Sequence, residues 1–310
     1  MTKRVAVLMG GFSAEREVSL TSGLACARAL REAGYEVTEI DVTRDIAALV
    51  TALDPKPYVV FNALHGRWGE DGCVQGLLDL LGLRYTHSGV LASALAMNKD
   101  RTKTLAVDAG ITVPHGVVVP LKRLAVEEIL PRPFVAKPLD EGSSVGVQIV
   151  LKGGNGPVLP EDPANAEDLW LVEEYIPGRE LTVSVMDGKA VAVTELRPKS
   201  GFYDYEAKYT EGKTEHIVPA QVPEAIYREA MEAAAKVHEI LGCRGVSRSD
   251  FRYDDTGKGA DSEPGKLYFL EINTQPGMTP LSLVPEQAAY KGMSFPELCA
   301  WIVESAGDAA

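Results

Sequence analysis

The sequence predicts an α/β protein of three lobes: an N-terminal open parallel α/β sheet, a central α+β lobe, and a C-terminal, mainly antiparallel sheet with helices. Three observations carry this. Strand, helix, strand, helix and strand patterns follow one another within about sixty residues at the start, the signature of a parallel sheet. Later, Asp187-Gly188 separates two strand-like runs, a strong hairpin signal. Finally, composition changes near Asn98 and the chain hinges at Pro177-Gly178, which divides it into 1–97, 98–177 and 178–310.

The elements follow in order. Val5 to Met9 reads as a fully buried parallel strand, and Gly10-Gly11 turns the chain. Ser13 is the expected N-cap of the next helix, with Glu15 and Glu17 in its first turn, where acids favour the helix dipole. Leu20, Leu24, Ala27 and Leu30 continue its apolar stripe, and Gly34 closes it. Strands at Glu36 to Val42 and Tyr58 to Leu64 flank a short helix from Ile46 to Leu53. Val74 to Leu81 and Ala92 to Ala109 are helical, the second restarting at Asn98-Lys99-Asp100-Arg101-Thr102-Lys103. Gly116 to Pro120, Phe134 to Lys137, Val147 to Leu151 and Trp170 to Ile176 are the central strands, with Lys152 to Asp168 unplaced. The hairpin Leu181 to Met186 and Ala190 to Glu195 opens the last lobe. A helix spaced by Ile226, Ala230, Ala233, Val237 and Leu241, strands around Asp250 and Glu271, and a final helix from Pro296 to Ser305 complete it.

At 310 residues with 45% hydrophobic and 24% charged content, the chain can bury cores in two or three units. A net charge of −13 argues against nucleic acid or an anionic membrane as partner, so basic residues meant for phosphates must cluster locally. The four cysteines, Cys26, Cys73, Cys243 and Cys299, form no metal spacing and read as reduced core thiols of a cytoplasmic protein. The apolar run after Arg4 is too short for a signal peptide or a membrane span.

The chemistry gathers in a few stretches. In Leu267 to Ile272 an apolar strand carries Glu271, and Asn273 follows two positions on, which puts both oxygen donors on one face. With Asp250 on a neighbouring strand they would cradle a hard cation such as Mg²⁺. Read alone, the same stretch could be an edge strand with solvated polar residues. Lys137 ends an apolar strand, where an ammonium needs a partner, and precedes the glycine-serine loop Gly142-Ser143-Ser144-Val145-Gly146. That is no Walker A loop, yet its N–H groups and hydroxyls can clamp phosphates. His65-Gly66-Arg67-Trp68-Gly69-Glu70-Asp71-Gly72 follows the third strand at its carboxyl end, where ligands sit in open α/β sheets. The first turn lacks GxGxxG, and an acid at Glu15 would repel a pyrophosphate but suit an ammonium. The aromatic run Phe202 to Tyr209, in a long polar loop, has the character of a functional lid.

Taken together, these stretches resemble the ATP-grasp family and, more narrowly, the D-alanine–D-alanine ligases over essentially the whole chain. The resemblance rests on Gly10-Gly11-x-Ser13-Ala14-Glu15-Arg16-Glu17-Val18-Ser19, Leu64-His65-Gly66, Glu70-Asp71-Gly72, Lys137-Pro138, Glu141 to Gly146, Phe202 to Tyr209, and Glu271-x-Asn273-Thr274-x-Pro276-Gly277-Met278-Thr279, in that order. It implies ligation of two D-alanines with ATP through a D-alanyl phosphate and a tetrahedral intermediate, for peptidoglycan precursor synthesis. By the same resemblance, Lys99 and Lys137 hold ATP phosphates, with Ser144 on the ATP side and Lys208 on the transferring phosphate. Glu173 and Ile176 line the adenine slot and Glu180 meets the ribose. Asp250, Glu271 and Asn273 bind two Mg²⁺ ions, Mn²⁺ being a substitute and a monovalent cation a further candidate. Glu15 takes the first D-alanine's ammonium with His65 nearby, and Arg248 and the Gly277 N–H face the oxyanion. Ser282 and the Leu283 N–H take the second substrate's carboxylate, while Glu15, Ser143 and Tyr209 tie the lobes together. A homodimer is implied as well.

Arg248→Ala is accordingly expected to lose most activity while folding normally, since one oxyanion donor is worth about 3–4 kcal/mol. Three features depart from the family pattern: Trp68 in place of a small residue, Glu174 in place of a frequent base, and no helix in Lys152 to Asp168. The competing readings are a D-alanine–D-lactate ligase, a non-catalytic ATP-grasp regulator and a Rossmann oxidoreductase. Against them stand, in turn, the intact Lys208-Tyr209 pair, the full set Asp250, Glu271, Asn273 and Arg248, and the missing GxGxxG with the acid at Glu15.

Overall fold

A computed structural model describes residues 2–124, 126–142, 146–154, 166–199, 212–257 and 265–307. Three sheets organise them. In the first, β1 (Arg4–Gly10) lies between β2 (Glu36–Val42) and β3 (Val59–Asn62), all parallel, as the early strand-helix alternation predicts. Alternate residues of β1 enter two cores. Val5, Val7 and Met9 pack on one face with Cys26, Ala27 and Leu30 of α1 (Arg16–Glu32). Ala6 and Leu8 pack on the other with Leu49 of α2 (Ile46–Ala52) and Leu78 of α3 (Cys73–Leu80). Both faces are covered, which is why the strand is an unbroken apolar run.

The structure corrects two expectations for α1. Its N-cap position is Glu15, and Ser13 instead donates through Oγ to the His65 carbonyl at 2.7 Å. Leu24 is exposed, and the buried face is made of small residues such as Ser22, Gly23, Cys26 and Ala27. The reason is proximity: a Cβ on Gly23 would sit 2.4 Å from the Met9 Cβ, so this helix lies almost directly on β1.

The central sheet is antiparallel in the order β4 (Gly116–Pro120), β7 (Leu169–Glu174), β5 (Phe134–Pro138), β6 (Gln148–Val150). The third sheet is also antiparallel, ordered β10 (Thr214–Ile217), β9 (Lys189–Pro198), β8 (Arg179–Met186), β11 (Val246–Asp254), β12 (Lys266–Asn273). Asp187 and Gly188 both have positive φ, 48° and 72°, the geometry a tight hairpin needs. Helix α4 (Val90–Met97) gives way to α5 (Lys99–Asp108) at Asn98, whose side chain caps α5 by accepting from the Arg101 N–H at 3.0 Å. Ala96 and Ala106 of these helices share the third sheet's core with Phe251, Phe269 and the apolar face of α7 (Glu224–Ile240). The helix that bears Lys99 is thereby fixed against the strand that bears Glu271.

Three described elements were not anticipated: a short α6 (Leu121–Leu124), strand β10, and α8 (Leu283–Tyr290). The last helix, α9 (Phe295–Glu304), has the capping box Ser294/Glu297 and packs back on the first sheet through Leu298, Cys299 and Ile302. Glu304 at its end accepts from Lys3 at 2.6 Å and from Tyr35 at 2.6 Å. No helix among the described residues is long and apolar enough to cross a membrane.

Candidate active site

Strand register builds the centre of the site. Asp250 of β11 lies opposite Glu271 of β12, and Arg248 opposite Asn273. Directly opposed residues share a face, as do residues two apart, so all four side chains project the same way. The Asp250 carboxylate accepts from Arg248 Nε at 2.9 Å and Nη2 at 2.8 Å, and from the Thr182 hydroxyl at 2.6 Å. Asn273 Oδ1 accepts from the Gln275 N–H at 2.8 Å. Among the described residues no three His, Cys, Asp or Glu side chains gather as a metal site; what the strands offer is two carboxylates and an amide oxygen. That all-oxygen set suits a hard divalent cation rather than zinc.

Beyond β12 the chain turns at Pro276-Gly277 and enters α8 with Ser282 at the N-cap position. A Cβ on Gly277 would lie 2.9 Å from Ser282 Oγ, so the turn brings the Gly277 backbone close to that hydroxyl. The Ser282 hydroxyl accepts from the Thr279 N–H at 2.9 Å and meets the Thr279 hydroxyl at 3.0 Å. Leu283 follows at the first helical position, where the N–H has no partner within the helix.

The first lobe supplies the opposite wall. Glu15 is buried at 4% exposure, its carboxylate wedged between two glycines. A Cβ on Gly66 would lie 2.3 Å from Glu15 Oε2 and one on Gly142 2.9 Å from the same atom. His65 is buried too, with Nδ1 3.1 Å from Glu70 and Nε2 3.0 Å from the Ser22 hydroxyl. These walls enclose a cleft lined by Glu15, His65, Arg248, Asn273, Gly277 and Ser282, among others, and spanning about 920 Å³ with its open mouth.

A second cleft of about 950 Å³ opens between the central and third sheets. Lys137, Glu173, Ile176 and Glu180 line it together with Asp250 and Arg252. The buried Glu173 carboxylate is held from two sides, by Lys137 at 2.8 Å and by Lys103, whose amine touches its other oxygen. Burial, and then the neighbouring ammonium groups of Lys137 and Lys99, push the Lys103 amine well below the ordinary lysine range. Glu180 faces Arg252 at 3.5 Å. Lys99, Glu141 and Glu271 line both clefts, so the two adjoin at these residues. Lys99 Nζ donates to the Glu141 carbonyl at 2.5 Å and stands 4.0 Å from Glu271. Burial, with Asp140 beside it, raises the Glu141 carboxyl above its usual range.

Two family profiles match the sequence, D-ala D-ala ligase N-terminus over residues 45–88 and D-ala D-ala ligase C-terminus over residues 120–304. The chain is 57% identical over 307 residues to the D-alanine–D-alanine ligase of Paramagnetospirillum magneticum, covering 99% of each chain. It is 55% identical to that of Granulibacter bethesdensis over 304 residues, 98% of each. The chain belongs to the D-alanine–D-alanine ligase family. Among solved structures it is similar to the D-alanine–D-alanine ligase from Bacillus anthracis complexed with ATP, with TM-score 0.77 and 29% identity, covering 98% of this chain and 97% of that one. It is also similar to the VanG D-Ala:D-Ser ligase from Enterococcus faecalis, with TM-score 0.75 and 28% identity, covering 98% and 99%. The fold is therefore that of the ATP-grasp ligases.

The described residues named from the sequence all line one or the other of the two clefts, with Lys99 and Glu271 lining both. Ser143, Ser144, Lys208 and Tyr209, with the Phe202–Tyr209 lid and most of the segment 152–168, lie outside the described residues. Sequence reasoning passed over several others. Gln275 joins Asn62 through its Oε1 at 2.6 Å and donates to the Leu64 carbonyl, tying the His65 loop to the strand of Glu271. Its position between Asn273 and Pro276 was the available signal. Ser22 and Lys103 carried none beyond their helical spacing from Ser19 and Lys99. As for the departures, Glu174 accepts from the His115 N–H at 3.1 Å while lining the second cleft. Trp68 sits in a left-handed turn, φ 74°, and packs against Phe12 with ring centroids 5.7 Å apart.

Proposed function

We propose that this chain is an ATP-dependent ligase that joins two D-alanines into D-alanyl-D-alanine for peptidoglycan precursor synthesis, releasing ADP and phosphate. The observation that carries this reading is that the two clefts adjoin, with Lys99, Glu141 and Glu271 lining both. A nucleotide in the second cleft can then deliver its terminal phosphate to a carboxylate in the first. The family and the relatives at 57% and 55% identity support the same activity.

In this mechanism adenine and ribose lie between the sheets near Ile176 and Glu180, and the phosphates run toward Lys137 and Lys99. The ammonium of the first D-alanine meets Glu15, whose carboxylate fits where Gly66 and Gly142 leave room for it. Its carboxylate oxygen attacks the γ-phosphorus, the bond to ADP breaks, and a D-alanyl phosphate forms. The second D-alanine is held by its carboxylate at Ser282 and the Leu283 N–H, where the start of α8 favours negative charge. Its free amine attacks the acyl carbon, the oxyanion faces Arg248 and the Gly277 N–H, and phosphate leaves as the peptide bond closes. Such chemistry needs positioning and charge neutralisation more than a protein nucleophile. Asp250, Glu271 and Asn273 fit Mg²⁺, and two such ions, or Mn²⁺, would neutralise the phosphate oxygens during transfer.

The chain is read as three units, 1–97, 98–177 and 178–310, as a homodimer, and as cytoplasmic because it draws on ATP and free amino acid. The reading is tested by ADP formation from Mg·ATP with D-alanine, L-alanine, D-alanine plus D-lactate, or no amino acid, with the product identified by mass. D-Alanine-dependent turnover with the dipeptide as product is expected. Nucleotide binding without turnover under every condition would instead favour a regulatory shell, and a mixed ester a D-lactate ligase.

A further inference from the structure

We propose that Lys103 is a positioning residue that holds the Glu173 carboxylate so that Lys137 is free to turn to the nucleotide's phosphates. The inference rests on the ATP reading of the second cleft given above.

Lys99 and Lys103 stand one turn apart on one face of α5, a like-charge spacing that opposes helix formation, so helix stability does not account for the pair. Both are buried, at 7% and 6% exposure, and lysine is almost never buried without a partner. The partner of Lys103 is Glu173 on β7, itself 2% exposed. That carboxylate spends one oxygen on Lys103 and the other on Lys137 at 2.8 Å. Of the two lysines, only Lys137 lines the nucleotide cleft. Lys103 lies on the far side of Glu173, in a groove it shares with Asp100, Thr104 and Val113.

A phosphate entering the cleft competes with Glu173 for Lys137. With Lys103 in place, Glu173 keeps an ion-pair partner when Lys137 turns away. Without it, the move would strand a buried carboxylate, and stranding one member of a buried pair is strongly unfavourable. A purely structural tether of α5 to β7 makes a different forecast: its loss would weaken binding of adenosine and ATP alike.

The test is calorimetric titration of the full chain with ATP and, separately, with adenosine, in the absence of D-alanine. The variants are Lys103→Met and Lys103→Gln. Lys103→Met is expected to weaken ATP binding about tenfold or more while adenosine binding stays within about twofold. Lys103→Gln keeps a donor to Glu173 and should show the same pattern more weakly; it decides the matter if the methionine variant does not fold. Unchanged ATP affinity, or a parallel loss for adenosine, overturns the role of Lys103. Failure of the unmodified chain to bind ATP would instead overturn the reading of the cleft.

Discussion

Gly66→Ala puts the Glu15 geometry to a quantitative test. Gly66 has φ +70°, and the new Cβ would lie 2.3 Å from Glu15 Oε2 and 3.1 Å from Ser13 Oγ. Carbon and oxygen do not settle closer than about 3.3 Å, so the carboxylate must move by about 1 Å. Gly142 neighbours the same oxygen, which a Cβ there would approach to 2.9 Å. The left-handed backbone adds about 1–2 kcal/mol of destabilisation. A misplacement of that size at a substrate-positioning group costs on the order of 10²-fold in rate. Gly34→Ala is the control, with φ +92° and nothing within 4 Å of its Cβ: it incurs the backbone strain alone. Steady-state turnover against D-alanine concentration, with thermal melts of both variants, separates the two effects. Comparable losses of stability are expected, with a large loss of kcat/KM for D-alanine in Gly66→Ala only. Equal kinetics in the two variants would refute the argument that Gly66 leaves the room Glu15 fits.

Arg248→Ala removes the proposed oxyanion partner and is expected to lower kcat on the order of 10²–10³-fold. It also strips Asp250 of its two-pronged partner, so some stability, about 1–3 kcal/mol, should go with it, a cost invisible in the sequence. A urea melt together with turnover checks both, and near-unmodified turnover would rule out the oxyanion assignment. His87 is fully enclosed against Phe61, and burial, with His65 as a lesser cause, lowers its imidazole from 6.5 to about 3. Because the unfolded chain takes up that proton first, this group's contribution is fully present above pH 6.5 and falls as pH drops toward 3, by about 1.4 kcal/mol per pH unit. His87→Asn should flatten the melting temperature between pH 7 and pH 4.5; an unchanged slope would contradict this.

The parts legible in the sequence were those where local chemistry and tertiary role agree. Glu271 and Asn273 share a face because a strand repeats every two residues, and no tertiary knowledge is needed to see it. The Asn98 restart of α5 and the Asp187-Gly188 turn were likewise set by local preferences. Legibility failed where distant chain segments meet. Ser13 looks like a cap, yet its hydroxyl serves the His65 carbonyl 52 residues away. Leu24 belongs to an apolar stripe by spacing, but the close approach of Gly23 to Met9 turns the small residues inward. Helix α9 closes the first sheet although it ends the chain. Lys103 is one more charged helical residue until β7 brings Glu173 to it. The family resemblance supplied what spacing could not, the assignment of Glu15, Ser282 and Leu283 to substrate ends.

The central claim is that a substrate carboxylate in the first cleft attacks the terminal phosphate of ATP reaching it from the second. D-Alanine labelled with ¹⁸O in its carboxylate, turned over with unlabelled ATP, tests it directly by mass spectrometry of the released phosphate. Transfer through a D-alanyl phosphate places one ¹⁸O atom in each phosphate formed. Phosphate carrying no label, alongside continued dipeptide formation, would contradict the account.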